Sequence, residues 1–398
     1  MNELSNRINA LAESATIAMA TKARELKSQG KDIISLSLGE PDFKTPKHIQ
    51  EAAKEAIDEG KYFSYPPVPG YPDLRKAIAD KLVKENKIDT TPEQIVVSTG
   101  AKHSIANVFM CLINPGDEVI VFSPYWVSYA DIIKLAEGVP VFVDAGIDQG
   151  FVVTADQVEA ALTDKTKAVI FSSPCNPSGA VIQRKEMEAI ASVLSKRKDV
   201  YVISDEIYEY INYTGDHVSI GSFPEMKDNT ITVNGFSKGF AMTGWRVGYI
   251  SGPIWLAKAC SKIQGQFTSG TCSIAQRAAL AGLTGDMTPT YDMAKTYLKR
   301  RDMVLELLKE IPGINTPTPD GAFYIFPDVS SYFGKSDGTT TINNASDFSM
   351  YLLNEALVST VTGDAFGAPN CIRISYAASD ENLKEAIKRI KELLATLN

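Results

Sequence analysis

Residues 168–208 read AVIFSSPCNPSGAVIQRKEMEAIASVLSKRKDVYVISDEIY. Two short apolar runs, 168–171 and 200–204, enclose a helical pattern at 184–195. Runs this short and this apolar suit strands buried on both faces. A strand–helix–strand unit of this kind belongs to a parallel sheet covered by helices. Outward from it the pattern repeats. Further runs stand at 95–98, 118–122, 140–143, 230–233 and 247–251, and 101–113 is helical with Ile105, Val108, Phe109 and Leu112 on one face. The reading is an α/β fold: a mostly parallel seven-stranded sheet flanked by helices.

The pattern changes after about residue 285. A charged helix at 291–310 leads into IPGINTPTPDGAFYIF (311–326) and a Gly/Ser/Thr-rich loop around 330–345. Another helix, a strand at 371–376 and a closing helix follow. The N-terminal segment reads as an amphipathic arm and helix (Ile17, Met19, Leu26) ending at Gly30, then the loop SLGEPDFKTP at 37–46. Three segments are expected: 1–49 as an arm and part of a smaller α+β domain, 50–285 as the large domain, and 286–398 as the rest of the small one. The length of 398 residues, at roughly 150 per domain, agrees with two to three.

Composition narrows the function. With 40 basic and 48 acidic side chains the net charge is -8, which argues against a general nucleic-acid binder but leaves room for a locally basic pocket. The five cysteines (Cys111, Cys175, Cys260, Cys272, Cys371) are scattered without C-x-x-C spacing, and the three histidines (His48, His103, His217) lie far apart. Neither a disulfide framework nor a zinc site is suggested. No signal-peptide core opens the chain and no stretch reaches the ~18 apolar residues of a membrane span. A cytoplasmic protein is expected.

Ligands of open α/β sheets bind beyond the carboxyl ends of the strands. There the chain collects Thr99-Gly100-Ala101-Lys102 at a helix start, Tyr125-Trp126, Asn176, Asp205 with Tyr208, and Ser237-Lys238, with Arg246 entering the last strand. An amine, a carboxylate, a phenol, an amide, an aromatic plate, an arginine and a helix N-terminus suit an aldehyde cofactor bearing a phosphate and a pyridine ring.

Seven motifs, S-L-G-E-P-D-F (37–43), Y-P-P-V-P-G (65–70), S-P-Y-W-V-S-Y (123–129), N-P-S-G (176–179), S-D-E-I-Y (204–208), S-K-G-F-A-M-T-G-W-R-V-G-Y (237–249) and I-R-I-S-Y-A (372–377), stand in this order. With that order and spacing the chain resembles class I, fold-type I pyridoxal-phosphate aminotransferases, closest to the bacterial aspartate aminotransferase subgroup. The resemblance implies that Lys238 forms the Schiff base with pyridoxal 5'-phosphate and shuttles the proton. Asp205 would pair with the pyridinium nitrogen, and Tyr208 and Asn176 with the phenolic oxygen. Trp126 would stack on the ring. Arg246, the amides of Gly100, Ala101 and Lys102, and Ser237 would hold the phosphate, joined by Tyr65 from the neighbouring subunit of a homodimer. Arg373 would grip the substrate α-carboxylate, with Gly39, Trp126 and Asn176 around it. Phe323 is either core or site. One departure stands out: many members carry a hydroxyl three positions before the lysine, where this chain has Gly235.

The expected activity is amino transfer between L-aspartate and 2-oxoglutarate, with Lys102 reading the distal carboxylate. Subgroup members that also accept prephenate tend to carry a lysine at the position of Ala12, so prephenate is disfavoured here. Alternatives are an aminotransferase for alanine or aromatic amino acids, and a pyridoxal-phosphate C–S β-lyase. A cofactor-sensing transcription factor is disfavoured, because no helix-turn-helix or basic run precedes Ser37. No metal is expected.

Overall fold

The computed structural model describes residues 3–398. Twelve strands lie along them: β1 (Ile34–Ser35), β2 (Ile95–Ser98), β3 (Glu118–Ser123), β4 (Val139–Asp144), β5 (Thr166–Ser172), β6 (Tyr201–Asp205), β7 (Thr230–Gly235), β8 (Gly248–Ser251), β9 (Tyr324–Ile325), β10 (Val358–Ser359), β11 (Val361–Thr362) and β12 (Ile372–Ser375). β2 to β8 form one seven-stranded sheet in the order β2-β8-β7-β6-β5-β3-β4. It is parallel except at β8, which runs antiparallel to both β2 and β7. The physical reason is the connection. The strands from β2 to β6 are joined through helices, and the parallel pair β6 and β7 by the long link 206–229 with 3₁₀ turns at Ile220–Ser222 and Pro224–Met226, whereas the chain from Gly235 to Gly248 returns over a shorter stretch with a single 3₁₀ turn at Thr243–Trp245.

Alternate residues along each strand serve opposite faces. Val119, Val121, Ile170 and Ile203 pack against Ile105, Val108, Phe109 and Leu112 of the helix Ala101–Leu112. Ile120, Val169, Phe171 and Val202 pack against Met187, Ile190 and Leu194 of Arg184–Leu194 on the other side. Both faces are thus apolar, and the polar side chains fall to the strand ends.

The remaining strands form two small sheets, β11-β12-β9 and the parallel pair β1-β10. The helices Thr288–Lys309 and Asp380–Leu394 cover them through a core that includes Tyr297, Val304, Leu308, Phe323, Ile374, Ile387 and Ile390. Ile34 pairs with Val358, so the N-terminal segment is woven into the C-terminal one. Arg300 fastens the loop carrying Gly39: its Nη1 lies 2.9 Å from Asp42 and its Nε 2.9 Å from Asp380.

The start of the helix Ala101–Leu112 lies hard against β8. A Cβ on Gly248 would come within 2.2 Å of the Ala101 nitrogen and 2.5 Å of the Gly100 carbonyl carbon. Gly248→Ala must push helix and sheet apart. The expected cost is about 1–3 kcal/mol, read as a lower urea midpoint at unchanged slope.

Candidate active site

The carboxyl ends of β5, β6 and β7, the start of the helix Ala101–Leu112 and one side of the β9/β12 sheet face a common cavity of about 750 Å³. Eleven of the expected residues line it: Gly39, Ala101, Lys102, Trp126, Asn176, Asp205, Tyr208, Ser237, Lys238, Arg246 and Arg373. Gly100 stands at its edge as the N-cap of the helix, in a left-handed backbone with φ +85°. Tyr65 is not brought in: it is 94% exposed on the outside of the chain. Phe323 and Tyr324 are both fully buried in one core; Tyr324 also lines the cavity, and the Phe323 ring lies 5.7 Å from Lys238 Nζ.

Asp205 ends β6 and is buried. Its Oδ2 accepts from the Tyr129 hydroxyl at 2.6 Å and its Oδ1 from the Ile207 amide at 3.3 Å. Burial is the dominant influence and pushes the carboxyl up to about 6. Behind it Glu206 points away from the cavity into a buried network. It accepts from Ser204 (2.9 Å), Ser219 (2.6 Å) and Asn86 (3.2 Å), and pairs with His217 at 2.8 Å. Glu209 of the same turn meets Lys81 and Asn86. This network anchors the turn that presents Asp205 and Tyr208.

Lys238 donates from Nζ to the Gly39 carbonyl. Burial first, then the Arg373 cation, pull its pKa down to about 8. Arg373 is 1% exposed. Its Nη1 donates to Asn176 Oδ1 at 2.8 Å and its Nη2 to the Ser37 carbonyl at 2.6 Å, while the buried Nε has no partner. Burial lowers its pKa, countered by the phenols of Tyr324 and Tyr208 and by no carboxylate among the described residues. A buried guanidinium supported only by neutral groups is a binding site for an anion.

A second anion site lies at the helix start. Arg246 donates from Nη1 to the Thr243 carbonyl at 2.9 Å, and a Cβ on Gly100 would meet its Nη2 at 2.3 Å. Glycine at 100 therefore lets the guanidinium lie across the free amides of the helix. Lys102 Nζ sits 4.9 Å over the Trp126 ring; partial desolvation, then Arg246, lowers its pKa. The cavity thus has two cationic grips with a depressed-pKa amine and a buried acid close by. At Gly235 a side chain has no room, since a Cβ would stand 2.9 Å from both Gly248 Cα and the Val247 carbonyl; Ser237 is the hydroxyl that faces the cavity.

The residues sequence reasoning missed are Tyr129 and Tyr324, with Ser14, Thr16, Ile17 and Glu40 at the cavity wall. Tyr129 stands within the quoted S-P-Y-W-V-S-Y motif, three residues after Trp126, and the helical spacing was the available signal. For Tyr324 the signal was strand alternation. If Phe323 faces the core, the next residue faces the opposite way.

A family model described as aminotransferase class I and II matches residues 31–390. An aspartate/prephenate aminotransferase of Cereibacter sphaeroides is 45% identical, covering 99% of this chain and 99% of the relative. A bifunctional aspartate aminotransferase and glutamate/aspartate-prephenate aminotransferase of Petunia hybrida is 47% identical, over 99% of this chain and 83% of its own length. The crystal structure of the aspartate aminotransferase from Rhizobium meliloti superposes with TM-score 0.96 at 39% identity, covering 100% of both chains. That of Thermus thermophilus with maleate gives 0.93 at 42%, covering 99% of this chain and 100% of its own.

A buried acid whose pKa is raised favours the folded state while protonated. That contribution of Asp205 is complete below the ordinary value of 3.8 and is lost as the pH rises through about 6. In the cofactor-free protein Asp205→Asn should flatten the stability–pH curve across that window. The difference is on the order of 3 kcal/mol, measured by urea unfolding at a series of pH values.

Proposed function

Because the chain belongs to the class I and II aminotransferase family, we propose that it moves the amino group between L-aspartate and 2-oxoglutarate, giving oxaloacetate and L-glutamate, with pyridoxal 5'-phosphate as cofactor. The observation that carries the reading is Arg373, a buried cation with an unpartnered Nε and no carboxylate partner among the described residues, which fits the α-carboxylate common to all four compounds. The donor set also fits the cofactor. Arg246, Ser237 and the amides of Gly100, Ala101 and Lys102 suit its phosphate, Asp205 its ring nitrogen, Tyr208 and Asn176 its phenolic oxygen, Trp126 its ring face, and Lys238 its aldehyde. When bound, that group supplies the electron sink that makes the substrate Cα–H acidic.

The chain's own residues do the rest. Asp205, buried and held by Tyr129, would as a carboxylate accept a hydrogen bond from the protonated ring nitrogen and so keep the proton on it. Lys238, its amine lowered to about 8, would take the proton from the substrate Cα and deliver it to the cofactor's aldehyde carbon, one nitrogen away. Gly39 and Asn176 frame the carboxylate that Arg373 binds. Lys102, on the same wall as Trp126, reads the distal carboxylate of aspartate and 2-oxoglutarate. Ala12 carries no charge two residues before Ser14, which lines the cavity, and this supports aspartate over prephenate as donor.

The proposed assembly is a homodimer in which Tyr65 of each subunit reaches the partner's phosphate site. Tyr65, Phe63 (71%) and Phe267 (64%) are exposed on adjoining segments, where Pro66 packs against Gly270. The division into 1–49 with 286–398, and 50–285, follows the pairing of β1 with β10. All five cysteines are free thiols, which supports a cytoplasmic location; no helix of the described residues is long and apolar enough to cross a membrane.

The purified protein loaded with cofactor should be yellow and lose that band on addition of L-aspartate, regaining it with 2-oxoglutarate. A band unmoved by aspartate but bleached by alanine, tyrosine or cystathionine would reassign the substrate. Lys238→Ala should abolish turnover. Lys102→Met should lower kcat/KM for aspartate by about ten- to a hundredfold, the worth of one charged hydrogen bond, with a smaller effect on alanine. Prephenate turnover comparable with that of aspartate would overturn the reading of Ala12.

A further inference from the structure

Tyr324 joins parts of the site that come from different elements. It lies on β9, paired with Ser375 of β12, and is fully buried. The Arg373 guanidinium sits 4.6 Å from its ring centroid, a desolvated cation–π contact beside that of Phe366 at 4.9 Å. Its hydroxyl is 2.6 Å from that of Tyr208. A Cβ on Gly39 would stand 2.4 Å from the same hydroxyl, so the loop whose carbonyl receives Lys238 closes directly on Tyr324.

We propose that Tyr324 is a positioning residue with two separable functions: its ring holds the Arg373 guanidinium plane for the substrate carboxylate, and its hydroxyl fixes the proton of Tyr208 toward the cofactor oxygen. Two phenols in hydrogen-bond contact share one donor position between them. With Tyr324 donating, Tyr208 keeps its own hydrogen for a second acceptor in the cavity. Tyr208 without this neighbour rotates more freely and serves that acceptor less well. The inference rests on the reading that Tyr208 meets the cofactor oxygen and Arg373 the α-carboxylate.

The test uses the cofactor-loaded protein and two variants, Tyr324→Phe and Tyr324→Leu, each read by two measurements other than turnover. One is the pH titration of the visible band without substrate; the other is the dissociation constant for maleate from the spectral change. Tyr324→Phe keeps the ring and loses the hydroxyl. Its titration midpoint should move up by about half a pH unit or more, with maleate affinity within twofold of the parent. Tyr324→Leu loses both, so the same shift should be joined by maleate binding weakened about five- to tenfold. Parent-like titration in both variants, or parent-like maleate binding in Tyr324→Leu, overturns the proposal. If the parent band itself neither titrates nor responds to maleate, the reading of the site fails, and this inference falls with it. A parent that responds while the variants match it rejects the role of Tyr324 alone.

Discussion

The site depends on a cation buried without a protein counter-charge. Arg373 has no carboxylate beside it among the described residues, and Asp205 accepts hydrogen bonds only from a phenol and an amide, with the Lys238 amine a weaker influence. In a low-dielectric interior either group would be costly. The fold tolerates them because neutral donors and acceptors hold each one in place: Asn176 and the Ser37 carbonyl for the guanidinium, Tyr129 for the carboxyl. Ligand charges then complete what the protein leaves open, and the cost of holding the groups apart returns as binding and orientation.

Holding those groups requires rigid support from several directions. The seven-stranded sheet supplies Asp205 from the end of β6, and the buried Glu206–His217 and Glu209–Lys81 contacts lock the following turn from behind. The small sheet supplies Arg373 from β12 and Tyr324 from β9. Neither body contains the whole site. The loop at Gly39 bridges them and is itself held by Arg300 through Asp42.

Much of this was legible in the residues. Short apolar runs gave each strand of the large sheet to within a few positions; in all but the edge strand β4, whose Val139 and Phe142 are exposed, burial on two sides leaves no polar interruption to blur the signal. The antiparallel direction of β8 was not legible, since an apolar run carries no direction; it goes with the short link after Gly235, where the longer link 206–229 brings β7 back parallel to β6. Polar residues after each strand pointed to Asp205, Asn176 and Lys238. Tyr324 was hidden because aromatic residues serve cores and cavities alike, and only its neighbour's burial decides between them. Tyr65 is the opposite case: its expected role needs a second chain, and within one chain it is an exposed ring.

The pairing of β1 with β10 has a consequence for biosynthesis. A ribosome releases Ile33, Ile34 and Leu36 early, yet all three are buried in the finished protein, and Ile34 finds its strand partner only when Val358 has emerged. The last strand of the large sheet ends at Ser251 and the helices that cover it end at Thr284, so it is free to collapse first. For most of synthesis, then, the leading segment is an orphan edge with apolar residues and no place to put them. Vectorial synthesis makes that short segment the natural client of a holding chaperone and the natural point of misassembly between two nascent copies.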